Sequence, residues 1–154
     1  MPMSVFEQVE NLLKQQRIDF EVARHEPVFT SEEASRIRGT PLSSGAKALV
    51  CKVDATFVMF VMPADRKLDS SAVRRRGWKK LRFATREEVL ELTGLAPGSI
   101  PPFGSLFQLA TYCDQRLGEN EMINFNAGDH GISVSMSYRD YLTVEKPELG
   151  TFAE

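Results

Sequence analysis

Lys47 stands in the run Ala46-Lys47-Ala48-Leu49-Val50-Cys51-Lys52-Val53, which reads as a strand. Alternation puts it on one face with Leu49, Cys51 and Val53, and puts Ala46, Ala48 and Val50 on the other. A lysine on such a face either snorkels to water from the strand end or projects into a pocket that receives an anion. The second chemical stretch is Gly94 to Gly104, Gly-Leu-Ala-Pro-Gly-Ser-Ile-Pro-Pro-Phe-Gly. Its breakers exclude helix and regular strand, so it is either a structural turn or a shaped loop. As a loop it would present backbone N–H groups at Gly98 and Gly104, held by Pro101 and Pro102. Fixed donors of that kind can stabilise charge developing on an ester carbonyl, or orient a water, without a titratable residue.

The histidines are His25 and His130, too few and too far apart for most metal sites. His130 lies in the turn Gly128-Asp129-His130-Gly131, where it is either an exposed polar residue or a hydrogen-bond donor or proton carrier for chemistry nearby. His25 reads as structural or merely exposed. Cys51 and Cys113 fall in strand-like segments without CxxC spacing and read as buried small side chains. No Gly-x-Ser-x-Gly elbow, Walker sequence or Rossmann glycine fingerprint is present. Triad hydrolases, nucleotide triphosphatases and nicotinamide enzymes are therefore disfavoured, and neither a cofactor nor a metal is expected.

A net charge of −2 conceals a basic segment. Arg66, Lys67, Arg74, Arg75, Arg76, Lys79, Lys80 and Arg82 stand there against the single acid Asp69. Such a segment is either a solvated face or the grip on an anionic partner, and Trp78 and Phe83 within it are compatible with base stacking.

The elements that must position these groups are marked by local signals. Ser4 and Glu7, Thr30 and Glu33, and Thr85 and Glu88 each have the spacing of a capping box. They predict helices to about Gln16, over Ser31–Arg38, and from Thr85 to the stop at Gly94; a short helix over Ser70–Arg76 follows Asp69. Strands are predicted over Ile18–Ala23, Ala46–Val53, Phe57–Met62, Lys80–Phe83, Leu106–Tyr112, Met122–Asn126 and from Ile132 to Met136. Asp54-Ala55-Thr56 reads as a three-residue hairpin loop. Tyr138–Leu142 reads as a closing helical turn and the tail after Lys146 as surface. The elements do not alternate as in a doubly wound fold. The expectation is one α+β domain over residues 1–154, a mixed, strongly curved β-sheet flanked by short helices. Hydrophobic residues at 42% and charged residues at 26% suit a globular chain of this length. The amino-terminal Met1-Pro2-Met3-Ser4-Val5 lacks the pattern of a secretory signal, and no run is long enough to span a bilayer, so a cytoplasmic location is expected.

Four segments together resemble the YbaK/prolyl-tRNA synthetase-associated editing domain family. They are His25-Glu26-Pro27-Val28-Phe29-Thr30-Ser31-Glu32-Glu33-Ala34; Gly45-Ala46-Lys47-Ala48-Leu49-Val50; the stretch from Pro63 to Asp69 continuing through Ala84–Val89 to Thr93–Gly104; and Asn124-Phe125-Asn126-Ala127-Gly128 with Asp140 after it. Their order, and above all Thr-Gly-x-x-Pro-Gly-x-x-Pro-Phe-Gly after a helix, make the combination specific. The resemblance implies a free-standing aminoacyl-tRNA deacylase that uses neither metal nor covalent nucleophile. Lys47 would hold the 3′ end of the substrate, and backbone around Gly98 would orient the water or the ester. A ribose hydroxyl of the substrate would assist. Position 99 is Ser where many members have glycine, so the acting donor is Gly98 or a neighbour. His130 corresponds loosely to a histidine used by some members. Phe29, Thr30, Pro101, Pro102, Phe103, Gly104 and Gly128 are implied as substrate-binding. The basic residues Arg66, Lys67, Arg74, Arg75, Arg76, Lys79 and Lys80 are read as the tRNA grip. The implied substrate is tRNA for proline bearing a small wrong amino acid. The rival classes are a non-catalytic module that binds aminoacyl-tRNA or a synthetase, and a hydrolase of a different small ester.

Overall fold

The computed structural model describes residues 3–154; Met1 and Pro2, part of the amino-terminal stretch read above for a signal, lie outside it. Among the described residues no helix is long and apolar enough to cross a membrane. The helices are α1 (Val5–Gln15), α2 (Ser31–Arg38), α3 (Ser70–Arg75), α4 (Arg86–Thr93) and α5 (Tyr138–Glu145). The strands are β1 (Phe20–Arg24), β2 (Ala46–Val53), β3 (Thr56–Pro63), β4 (Leu81–Phe83), β5 (Ala110–Asp114), β6 (Met122–Asn126), β7 (Ile132–Ser137) and β8 (Glu148–Gly150). The chain is α+β as expected, but in place of one strongly curved sheet it forms two. One is antiparallel, in the order β1-β7-β6; the other is mixed, in the order β4-β2-β3-β5-β8. They touch through a bridge between Gly45, just before β2, and Asn124 of β6. Two short sheets enclose two apolar clusters more readily than one bent sheet. Val9, Leu13, Val50, Phe103, Phe125 and Tyr141 belong to the larger cluster. Cys51, Phe60, Met62, Val73 and Phe152 belong to the smaller one.

The caps start and stop the helices at the expected positions. Ser4 and Thr85 form reciprocal capping boxes with Glu7 and Glu88. Thr30 caps α2, and Gly39 closes it in the left-handed conformation. Arg82 of β4 donates to Glu88 at 2.7 and 2.9 Å, tying strand to helix. These bonds favour the carboxylate and hold the Glu88 acid down to about 2. Its folded value lies below its unfolded one, so its contribution to stability is present above roughly pH 4.5 and is lost as the pH falls through about 2. A carboxyl-carbon NMR titration should place the Glu88 midpoint well below the ordinary glutamate value of about 4.5; a midpoint near that value would show that the box and ion pair do not persist in solution.

Three local expectations are corrected. The β2–β3 loop has two residues, since Val53 pairs with Thr56. Asp54 takes a positive φ of 52°, which a short polar side chain tolerates, and its carboxylate accepts from the Lys79 and Lys80 N–H groups. The apolar run Leu106–Tyr112 starts as a tight helical turn over Gly104–Phe107, and the strand begins only at Ala110. Gln108 at φ 60° breaks the extended path between them. The tail after Lys146 is surface only in part. It adds β8 parallel to β5, and Phe152 and Ala153 are buried.

Candidate active site

Where the two sheets meet, α2 closes a cavity of about 190 Å³ whose wall includes Phe29, Thr30, Arg38, Lys47, Gly98 and Asn126. Most of the remaining wall is small or apolar, with Ala34, Gly45, Ala46, Ala48 and Ala64 among it. The lining contains two cations and no carboxylate, cysteine or histidine.

Lys47 lies opposite Met62 in the hairpin, and its ammonium donates to the Arg66 carbonyl. It shares its face with Leu49, Cys51 and Val53, as alternation required, and these pack in the smaller cluster. Burial pushes the Lys47 ammonium below the ordinary lysine value; Asp65 and Glu32 oppose that shift and Lys67 adds to it. The side chain therefore projects to the cavity with one donor bond fixed, rather than trailing into water.

Gly98 has φ of 90°, a conformation that side-chain-bearing residues rarely adopt, and its carbonyl accepts from Asn126 Nδ2 at 2.8 Å. Its own N–H is paired with no group of the described residues. Ser99 turns inward and is buried, its carbonyl accepting from the Gly128 N–H at 2.8 Å. Of the two backbone donors left open by the sequence, the one at 98 is free, whereas the Ser99 N–H is directed to Ala96.

His130 does not line the cavity. Its ring stacks on Phe29 with centroids 4.7 Å apart, and a Cβ at Gly98 would stand 3.5 Å from its Nε2. It backs the rim formed by Phe29, which is 71% exposed, and the Gly98 turn. Pro101, Pro102, Phe103 and Gly104 are buried away from the cavity wall, where the loop dives into the core. Phe103 meets Phe125 and Tyr141 edge to face, the Tyr141 hydroxyl donates to the Pro102 carbonyl at 2.6 Å, and the Gly104 N–H donates to Thr111. Ile100 supplies the wall instead. Gly128, packed against Val5, likewise touches the site only through Ser99. Breakers and an aromatic at this density serve here to anchor the loop from behind.

The basic residues do not form one patch. Lys67 and Arg66 follow β3 beside Lys47, whereas the Lys79 and Lys80 N–H groups bind Asp54 at the far end of the hairpin. That end is seven residues along the strand from Lys47, about 23 Å at the rise of an extended chain. Arg74 and Arg75 are exposed on α3. Arg76 is engaged within the protein, paired with Glu148 and lying over the Trp78 and Tyr112 rings. Trp78 itself packs on Phe60 and Tyr112. Cys51 and Cys113 are buried, and burial lifts both thiols to about 12.

A polar network missed from the sequence ties this site together. Arg38 Nε donates to Ser133 Oγ at 2.7 Å, Nη1 to Asn124 Oδ1 at 2.9 Å and Nη2 to Asn126 Oδ1 at 2.7 Å. Asn124 donates on to Ser44, and His25 Nε2 lies 2.7 Å from Ser133 Oγ. Strand alternation held a signal for part of it, because Asn124 and Asn126 must share one face of β6 while Ile123, Phe125 and Ala127 take the other.

The aminoacyl-tRNA editing domain pattern matches residues 25–144. The chain is 42% identical over 147 residues to the multifunctional Ser/Thr-tRNA deacylase ProXp-y of Escherichia coli K12, covering 92% of this chain and 88% of that one. It is 33% identical over 129 residues to the proline–tRNA ligase of Shouchella clausii, an alignment spanning 81% of this chain but 22% of the ligase. A solved structure described as a candidate trans-editing enzyme for prolyl-tRNA synthetase superposes with a TM-score of 0.84 at 23% identity, over 100% of this chain and 99% of that one, and shares the fold.

Proposed function

We propose, from the premise that this chain belongs to the aminoacyl-tRNA editing domain family, that it hydrolyses the ester of mischarged aminoacyl-tRNA. The observation that carries this reading is the free Gly98 N–H and the Lys47 ammonium on one small cavity that holds no acid, thiol or imidazole. Such a wall has no thiol, and no carboxylate or imidazole to activate its Thr30, Ser31 and Ser35 hydroxyls, but it has fixed donors for a carbonyl oxygen. Water adds to the ester carbonyl, the bond from that carbon to the ribose oxygen breaks, and the ribose oxygen leaves with a proton. The amino acid departs as its carboxylate, and one proton goes to solvent. Lys47 holds the 3′ end, the Gly98 N–H faces the carbonyl oxygen, and the neighbouring ribose hydroxyl guides the water. His130 acts from behind, by fixing Phe29 and the Gly98 turn.

The small cavity, lined by alanines, supports a short acyl group. Serine, threonine, alanine or cysteine on tRNA for proline suit it, and the relative named as a Ser/Thr-tRNA deacylase supports that choice. A panel of mischarged tRNAs offered to the protein tests this. At least one small acyl group should be released well above the buffer rate, while bulky acyl groups persist because a clash discriminates more strongly than a missing methylene. Binding without release of any ester would establish the non-catalytic module instead.

The exposed cations Lys67, Arg74, Arg75, Lys79 and Lys80, with Arg66 beside Lys47, are proposed to meet the tRNA body; Arg76 is set aside by its internal partners. Arg75→Glu with Lys79→Glu should weaken tRNA binding and flatten its dependence on salt, by roughly 0.7–0.9 in log–log slope for each phosphate no longer neutralised. An unchanged slope would remove these residues from the interface.

A further inference from the structure

The two cations of the cavity are not equivalent. Lys47 has Asp65 and Glu32 close enough to act on it, whereas the charge of Arg38 is answered by no acid. Among the described residues no carboxylate lies within salt-bridge distance of Arg38, and its three partners, Ser133, Asn124 and Asn126, are neutral oxygens. They fix the plane of the guanidinium and leave its charge uncompensated. A guanidinium has five N–H donors. Three are taken, which leaves one on each terminal nitrogen, two charge-bearing donors for the oxygens of a phosphate. Arg38 lines the cavity. A half-buried cation without a counter-ion is costly unless its site is completed by something charged. An ester carbonyl acquires negative charge only in passing, so it would leave the resting charge unanswered; a phosphodiester carries its charge throughout.

We propose that Arg38 is a phosphate subsite, receiving the 5′-phosphate of the terminal nucleotide whose ribose carries the ester. This rests on the ester-hydrolysis reading above and adds a second anchor to it. The same network links the anchor to the chemistry, because Asn126 accepts from Arg38 through Oδ1 and donates to the Gly98 carbonyl through Nδ2. A phosphate on Arg38 is thereby one side chain removed from the peptide that orients the ester. His25 completes the support. Its Nδ1 faces the Glu26 carbonyl at 2.8 Å, which can only accept, so in the neutral ring Nε2 accepts the Ser133 hydroxyl proton and leaves Ser133 Oγ to accept from Arg38.

The test compares two small substrates, seryl-adenosine esterified at the 3′ oxygen with and without a 5′-phosphate. The wild type should favour the phosphorylated ester by about ten- to a hundredfold in kcat/KM, the size of a charge-assisted bond pair. In Arg38→Gln that ratio should fall towards one, whatever happens to the absolute rates. Arg38→Lys should restore only part of it, since it keeps the charge and loses the fork. Equal rates on the two esters in the wild type, or an undiminished ratio in Arg38→Gln, would overturn the proposal. Competition by adenosine 5′-monophosphate, adenosine and inorganic phosphate on wild-type protein needs no variant to fold. The monophosphate should bind at least about tenfold more tightly than either of the others. Parity with adenosine would overturn the subsite, and parity with inorganic phosphate would overturn its assignment to the nucleotide. If neither of these esters nor any of the mischarged tRNAs is cleaved and the monophosphate still outbinds both, the hydrolytic reading fails while the phosphate subsite stands.

Discussion

Lys47→Ala is expected to lower kcat/KM for deacylation by about 10²-fold, the loss expected when the charged group that holds the 3′ end and keeps the ester in position is removed. The melting temperature should move by only a few degrees. Lys47 is half-buried, and its polar bond in the protein is the one to the Arg66 carbonyl, a group beside the cavity that water can reach once the side chain is gone. The alanine leaves Leu49, Cys51 and Val53 in place on the same face. Activity on tRNA and on a short aminoacyl-adenosine should fall alike, because the ammonium acts at the ester and not on the tRNA body. Retention of activity within about threefold of wild type would remove Lys47 from the chemistry and return it to the role of a snorkelling strand-end residue. The pH profile gives a second check. Burial lowers the Lys47 value, so the limb of the rate that needs its ammonium should fall, as pH rises, earlier than an ordinary lysine would dictate.

Asp114→Ala should destabilise the fold by about 2–5 kcal/mol, which for a chain of this size lowers the melting temperature by roughly 5–15 °C. Asp114 is fully buried at the end of β5. One carboxylate oxygen accepts from the Phe152 and Ala153 N–H groups, both at 2.8 Å, and the other from the Arg116 N–H at 2.9 Å. Alanine leaves these donors without an acceptor in a place that water reaches poorly. The effect should travel to the site. The tail pairs with the segment after β3 through Glu154 and Lys67, and the Asp69 N–H donates to the Phe152 carbonyl. That segment carries the Arg66 carbonyl which receives Lys47. A thermal melt and an activity assay below the transition should both show a loss; an unchanged melt would mean that the tail is held by Phe152 packing alone.

The helix boundaries were legible because capping is local. Ser4 with Glu7 and Thr85 with Glu88 need only three residues of separation and the right chemistry, and both boxes form. The same holds for the β2–β3 hairpin, wrong by one loop residue, where alternation alone placed Lys47 on its correct face. Leu106–Tyr112 failed as a strand because its apolar pattern does not reveal that Gly104 sits with Leu109 O within 2.7 Å of where a Cβ would be, or that Gln108 turns left-handed. The tail failed for a related reason. Glu148–Gly150 has little strand character of its own and becomes a strand only because β5 offers it an edge and Asp114 an acceptor.

Within the site, Lys47, the Gly98 turn and the family to which both belong could be read along the chain. Those signals lie in contiguous motifs, where residue type and spacing suffice. Folding in three dimensions was needed to make Pro101 to Gly104 anchors, to leave the free donor at Gly98 rather than Ser99, and to bring Arg38 to the cavity. Arg38 meets Asn124, Asn126 and Ser133 across 86, 88 and 95 residues of chain. An arginine at the end of an eight-residue helix is ordinary in sequence. It becomes informative only when the packing of α2 over the junction of two sheets takes it out of water and gives it three neutral partners and no acid.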